Sequence, residues 1–117
     1  MAINVDIIVE RRLELRMESG TVEVVASLTK PKEVAEDEWT CGCVTRFGDE
    51  VRTTDIHGGD SMQALQLAMV TLDGQLKHEA RCRGGTLFHF DEPFNSVFEN
   101  SGMQPRPADT HSTPDAT

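Results

Sequence analysis

The sequence predicts a single two-layer α+β domain, in which one amphipathic helix packs across a mostly antiparallel sheet of about five strands. Three observations support this: two early segments alternate apolar and polar residues, one later segment has helical spacing, and turn signals separate them. With 117 residues, of which 38% are hydrophobic, the chain can bury one core. The predicted element order is β-β-β-β-α-β.

The first two strands are predicted to form a β-hairpin. Residues 9–17 place Leu13 and Leu15 on one face and alternating Glu and Arg residues on the other. Ser19-Gly20 then supplies a turn, and residues 22–28 resume the alternation. The opposite charges on the polar face favour cross-strand pairing.

A second hairpin is predicted farther along the chain. Lys30-Pro31 ends the second strand, because proline cannot donate a hydrogen bond to a strand ladder. The acidic residues 32–38 are interpreted as a solvated loop. Residues 39–47 then alternate, "FGDE" offers a turn, and residues 51–57 complete the hairpin.

The stretch "HGGDSMQALQLAM" at 57–69 predicts a helix start. Asp60 followed by Gln63 is typical of a helix cap, and the lysine of a phosphate-binding loop is missing. The apolar stripe comprises Leu65, Ala68, Met69, Leu72 and Leu76, which Leu67 and Val70 are expected to widen. Because of Gly74, the helix is expected to end near Asp73 or to continue to Lys77.

One further strand is predicted after Gly84-Gly85, in the segment "TLFHF" at 86–90. The last residues, 101–117, are rich in Pro, Ser, Thr and Asp and almost lack apolar side chains. Such a composition predicts disorder. We therefore expect an α+β domain over residues 1–100 and a disordered C-terminal tail over residues 101–117.

The net charge restricts the partners that this chain can bind. There are 20 acidic residues against 11 Lys and Arg, which gives −9. This surface repels phosphate backbones and disfavours nucleic acid, whereas a basic protein partner is compatible with it. The candidate partner-binding residues are the acidic cluster Glu33, Glu36, Asp37 and Glu38.

The cysteines indicate the compartment and one chemical alternative. Three cysteines are too few for a disulfide scaffold, and no stretch approaches the roughly 20 apolar residues of a membrane span, so we expect a cytoplasmic protein. Cys41 and Cys43 lack the usual zinc-ligand spacing and fit two core residues of one strand. Cys82, interpreted as a loop thiol, lies near His78 in sequence. We assign no catalytic, cofactor-binding or metal-binding residue.

Several separated motifs resemble a family of small bacterial proteins known only as a domain of unknown function. They are Glu10-Arg11-Arg12-Leu13, Lys30-Pro31, Trp39 with Cys41, and Gly58-x-Asp60-x-x-Gln63-Ala64-Leu65-Gln66-Leu67-Ala68. The resemblance covers about residues 7–90. It implies a compact α+β domain and carries no established activity, substrate or cofactor.

Three functions follow as hypotheses. The first is a non-enzymatic binding or inhibitor module of the immunity-protein kind, which would use the acidic cluster against a basic partner. The second is a thiol- or metal-dependent enzyme or sensor that uses Cys41, Cys43 or Cys82. The third is a homo-oligomeric scaffold that associates through an edge strand or an exposed helix face.

Overall fold

The computed structural model describes residues 6–99, which form one antiparallel sheet with one helix packed on one face. The elements are β1 (Ile7–Met17), β2 (Gly20–Thr29), β3 (Lys32–Ala35), β4 (Glu38–Phe47), β5 (Glu50–Gly58), α1 (Ser61–Cys82), β6 (Thr86–His89) and β7 (Glu92–Pro93). The α+β prediction is confirmed. The sheet of the described residues has seven strands, which is more than the five predicted.

Strand β3 corrects the prediction that residues 32–38 form a loop. It pairs with β4 through Lys32 opposite Thr40, while β2 pairs with the same strand through Leu28 opposite Cys43. Because β5 pairs with β4 over residues 39–47, β2 and β3 must share the remaining edge of β4. All four β3 side chains are exposed, so main-chain pairing holds this strand and no apolar alternation marks it in the sequence.

The predicted hairpins are both present. β1 pairs with β2 from Ile7 to Met17, with a bulge between Ile7 and Val9, and β4 pairs with β5. The turn between β1 and β2 uses Gly20 at φ 139°, a backbone conformation that favours glycine. On the outer face, Arg12 lies 3.0 Å from Glu23 of the neighbouring strand, as cross-strand charge pairing predicts.

The core lies between the sheet and α1. The sheet contributes Leu13, Leu15, Val24, Leu28, Cys43 and Phe47, and the helix contributes Ala64, Ala68, Leu72, Leu76 and Ala80. The buried helical residues recur every four positions and therefore form one narrow stripe. Leu67 and Val70 are 43% and 60% exposed, so the prediction that they widen this stripe is wrong.

The helix begins as its sequence predicts. Asp60 is the N-cap, and its carboxylate accepts a 2.7 Å hydrogen bond from the Gln63 main-chain N–H. The Gln63 side chain reaches back and accepts a 2.6 Å bond from the Gly59 N–H, one residue earlier than in a standard capping box. Two main-chain donors at the helix start are thereby satisfied.

We expect Asp60→Ala to lower the free energy of unfolding by about 1 kcal/mol, because it removes the oxygen that accepts from Gln63. Scanning calorimetry measures this as a lower thermal midpoint. Asp60→Ser is the control, since serine also caps helices and should restore most of the loss. An unchanged midpoint in the alanine variant would contradict the assigned cap.

The helix ends later than predicted. It continues through Gly74 to Cys82, so neither Asp73 nor Lys77 ends it, and Cys82 is a helical residue. Gly74 costs up to about 1 kcal/mol relative to alanine. Burial of Leu76 and Ala80 beyond it outweighs this cost, since fully burying a leucine contributes about 2 kcal/mol.

The chain after β7 returns along the inner face of the sheet. We call residues 94–99 the C-terminal strap. Phe94 is buried in the core, and the Val97 N–H donates a 2.8 Å hydrogen bond to Asp73 of the helix. The Arg11 guanidinium of β1 donates to the Val97 and Glu99 carbonyls at 3.3 Å. The strap therefore joins β1 to α1. The predicted disordered tail, 101–117, lies outside the described residues.

Beside the strap, His89 is buried with one ring nitrogen unpaired among residues 6–99. It is 9% exposed, and the unpaired nitrogen is Nδ1. Burial lowers its pKa below the usual 6.5, and the positive charge of Arg11 lowers this pKa further. The unfolded chain therefore takes up a proton at His89 at a higher pH than the folded chain does.

Stability should accordingly fall as the pH drops from about 7 to about 5, because protonation of His89 near pH 6.5 favours the unfolded state. Urea denaturation at several pH values measures this slope. His89→Gln should flatten it. Equal slopes in the wild type and the His89 variant would contradict the assignment.

Candidate functional site

The acidic cluster predicted from the sequence lies at the tip of the hairpin formed by β3 and β4. Glu33 is on β3, Glu36 and Asp37 form the turn, and Glu38 begins β4. All four side chains are exposed. Asp37 has a φ of 57°, a left-handed conformation that Asp and Asn tolerate better than most residues. The fold thus gathers the four acids on one short hairpin.

The carboxylates at this tip differ in their pairing. Glu38 Oε2 lies 3.1 Å from His57 Nδ1 of β5. Within residues 6–99, no cationic side chain pairs with Glu33, Glu36 or Asp37. Three negative charges are therefore available to a basic surface, and no ion pair within the described chain would have to break first.

Two of the three thiols lie inside the core. Cys41 and Cys43 are 1% and 0% exposed, as expected for two residues on the inner face of one strand. The Cys41 thiol donates to the Thr29 carbonyl at 3.2 Å, and the Cys43 thiol donates to Ala68 O at 3.0 Å. Burial raises both pKa values, that of Cys43 to about 11. Both thiols therefore stay protonated at neutral pH.

The third thiol is exposed on the last turn of α1. Cys82 Sγ lies 3.5 Å from His78 Nε2, and the helix itself sets this spacing because the two residues are four positions apart. Among residues 6–99, no group of three or more His, Cys, Asp or Glu side chains is placed to hold a metal ion. The three cysteines are thus divided between the core and the far end of the helix.

A thiol titration should distinguish these environments. We expect one of the three thiols of the native protein, Cys82, to react rapidly with an aromatic disulfide reagent, because only a thiolate attacks and the core thiols are buried and protonated. All three should react in denaturant. Cys82→Ser should remove the fast phase. A fast phase that persists in this variant would show that the core thiols are accessible.

A polar seam joins α1 to the inner face of β5. It consists of three contacts: Gln75 with Thr54 at 3.1 Å, Glu79 with Arg52 at 3.5 Å, and Arg83 with Glu50. Helix residues four apart advance about 6 Å, and strand residues two apart advance about 6.6 Å, so successive pairs stay aligned. The seam borders a cleft of about 180 Å³ in which charges of both signs are already paired.

An apolar groove borders the opposite side of the helix. Its volume is about 280 Å³, and its lining includes Val9, Leu28, Leu65, Met69, Leu72 and Val97. Val9 and Arg11 of β1 line the groove on the side of the sheet, and Val97 of the strap lines it as well. Sequence reasoning missed it, because the strap has no regular pattern and its position depends on bonds to distant residues.

Comparison of the sequence with models of protein families gives one match. The model of a domain of unknown function, DUF6968, matches residues 9–97. The chain belongs to the DUF6968 family. Comparison with curated proteins and with solved structures finds no match.

The matched residues of the DUF6968 domain extend beyond the segment on which the resemblance was based. They continue past residue 90 and end at Val97, the strap residue that donates to Asp73. The family match thus includes the strap and its attachment to the helix. Within residues 6–99 of this DUF6968 protein, no helix has the length and apolarity needed to cross a membrane.

Proposed function

We propose that this DUF6968 domain is a non-enzymatic binding module, of the inhibitor or immunity-protein kind, that presents its acidic hairpin to a basic protein partner. One observation carries the proposal: Glu33, Glu36 and Asp37 are exposed together at a hairpin tip without cationic partners among residues 6–99. Complementary charge on a partner would accelerate association and select against acidic proteins and nucleic acids.

The hairpin geometry supports this role. Main-chain pairing of β3 with β4 fixes the tip, so binding would cost little ordering entropy. The net charge of −9 adds long-range attraction towards a basic surface. Both properties suit rapid capture of a basic protein and require no chemistry at the site.

We also propose that this domain is not an enzyme and that it lies in the cytoplasm. Cys41 and Cys43 are buried, protonated and hydrogen-bonded to carbonyls, which suits core packing better than nucleophilic attack. Three free thiols, one of them exposed, favour a reducing compartment. The motif resemblance implies a bacterial origin, and we propose that the host of this domain is a bacterium.

A matched pair of charge variants tests the proposal. Glu36→Gln with Asp37→Asn neutralises the hairpin turn, and asparagine tolerates the left-handed conformation at position 37. Glu18→Gln with Asp49→Asn removes the same charge from two exposed turns at the opposite end of the sheet. Proteins captured by the wild type from its native host are identified, purified and titrated against all three forms.

We expect the hairpin variant to weaken binding of a basic partner by about tenfold, equivalent to about 1.4 kcal/mol, and the control to weaken it far less. The wild-type affinity should also decrease as salt screens the charges. The proposal would be contradicted if each captured protein lost the same affinity with the hairpin variant as with the control variant. It would also be contradicted if salt left the affinity for the wild type unchanged.

A further inference from the structure

One arginine of β1 lies in surroundings unlike those of the other arginines. Arg11 is half-buried and lines the apolar groove. Among residues 6–99, its guanidinium has no carboxylate partner and donates only through Nη1, to the Val97 and Glu99 carbonyls at 3.3 Å. Nε and Nη2 make no hydrogen bond within this part of the chain, so three N–H groups are free to bind a ligand.

The other arginines of the described chain are either paired or in open solvent. Arg81 is exposed. The rest each lie within 3.5 Å of a carboxylate oxygen; they are Arg12, Arg16, Arg46, Arg52 and Arg83. A half-buried charge without a counter-ion is unfavourable, because nothing replaces the hydration that it loses. Arg11 therefore points to an anion that the described residues do not supply.

The positive charge of Arg11 acts on a buried neighbour. Burial and this charge both lower the pKa of His89, whose Nδ1 is unpaired within the described chain, whereas Glu92 raises it. Glu10 also lines the groove, but its carboxylate lies 3.2 Å from Arg12. The net charge of −9 opposes an anionic ligand, yet physiological salt screens exposed charges beyond about 8 Å. Arg11 is therefore the charge that a ligand in the groove would meet at close range.

The rest of the groove suits a hydrocarbon chain. Leu28, Leu65, Met69 and Leu72 line it, and its volume of about 280 Å³ is close to the lower limit of ordinary ligand pockets. A peptide would place polar main-chain groups against these side chains, which is costly unless each group is hydrogen-bonded. An unbranched alkyl chain has no such groups. The groove thus favours a small amphiphile with a polar group at one end only.

We propose that the apolar groove binds a medium-chain fatty acid, whose carboxylate pairs with Arg11 while its alkyl chain packs against Leu65 and Met69. The planar guanidinium can donate two parallel hydrogen bonds to a carboxylate. A singly charged head group is also repelled less by the acidic chain than a doubly charged phosphate. The site shares no residue with the acidic hairpin, so its failure would leave the proposed partner binding unaffected.

Isothermal titration calorimetry of the full chain with octanoate tests the site, and octanamide is the neutral ligand of the same length. We expect octanoate to bind the wild type at least about tenfold more tightly, because hydrogen bonds to charged groups contribute at least that factor. Hexanoate should bind about fifteenfold more weakly than octanoate, since each buried methylene contributes about fourfold.

A charge-removing variant assigns the carboxylate contact. Arg11→Gln should lower the octanoate affinity at least about tenfold and leave the octanamide affinity unchanged, since glutamine keeps a donor for the strap. Octanamide binding thus reports whether the groove survives the substitution. Arg81→Gln is the matched control, because it removes the same charge without breaking an ion pair among residues 6–99, and it should leave both affinities unchanged.

Carbon-13 labelling of the methionine methyl groups locates the ligand. Octanoate should shift the Met69 resonance and leave that of Met62, which is 65% exposed on the same helix, unchanged. The proposal would be overturned if octanoate did not bind at about 10 mM, if Arg11→Gln bound it as tightly as the wild type, or if Met62 shifted in place of Met69. Tighter binding of N-acetyl-leucylleucine than of octanoate would overturn it as well, because the occupant would then be a peptide.

Discussion

Leu76→Ala should lower the free energy of unfolding by about 3 kcal/mol, which is a large fraction of the stability of a domain this size. Leu76 is 0% exposed and lies in the helical stripe that packs on the sheet. Removing its side chain forfeits apolar burial and leaves a cavity, since the sheet below cannot collapse into the space. Urea denaturation followed by circular dichroism measures the change.

Leu67→Ala is the control for this prediction. Leu67 is on the same helix, but it is 43% exposed and lies outside the buried stripe. We expect a change within about 0.5 kcal/mol, because little burial is lost and alanine has the better helix propensity. Similar losses in the two variants would mean that the helix is rotated from the orientation described.

Gly58→Ala should destabilise the protein by at least about 2 kcal/mol, since overpacking against a fixed backbone is costly. A Cβ atom at position 58 would lie 2.5 Å from the Ala64 nitrogen and 2.8 Å from its Cα. These are main-chain atoms of the first helical turn, so relief would require moving the helix start away from β5. Thermal denaturation measures the loss.

Gly74→Ala, within the helix that Gly58 of β5 approaches, should give the opposite result. An added Cβ there meets nothing within 4 Å, and the position is helical. Alanine should therefore stabilise the protein by up to about 1 kcal/mol through helix propensity. Two glycine-to-alanine changes should thus have opposite signs, and a stabilising change at Gly58 would contradict the close approach of the helix to β5.

The parts of the fold that could be predicted from sequence are those with a local pattern. Alternation over residues 9–17 and 22–28 indicated the first hairpin, and Asp60 with Gln63 indicated the helix start. β3 could not be predicted, because all its side chains are exposed and only main-chain bonds to β4 define it. The helix end was also misplaced, because the burial of Leu76 and Ala80 depends on the sheet below.

The residues of the candidate site could be predicted from the sequence, but their arrangement in space could not. The sequence identified Glu33, Glu36, Asp37 and Glu38 as a cluster, yet their display on a hairpin tip depends on β3. The polar seam and the apolar groove were not predictable, because each joins residues distant in the sequence. Arg52 pairs with Glu79, and Val9 and Met69 line one groove, only once the helix lies on the sheet.

The pairing of β6 with β1 also determines when the fold can be completed during synthesis. Leu15 pairs with Leu87, so the strand that covers the second edge of β1 is translated only after the whole helix. Both long hairpins can form as they leave the ribosome, because their contacts are local, whereas closure by β6 is a non-local step that must follow. Until that step, β1 lacks a neighbour along the whole of one edge, and the nascent chain presents that edge to other chains.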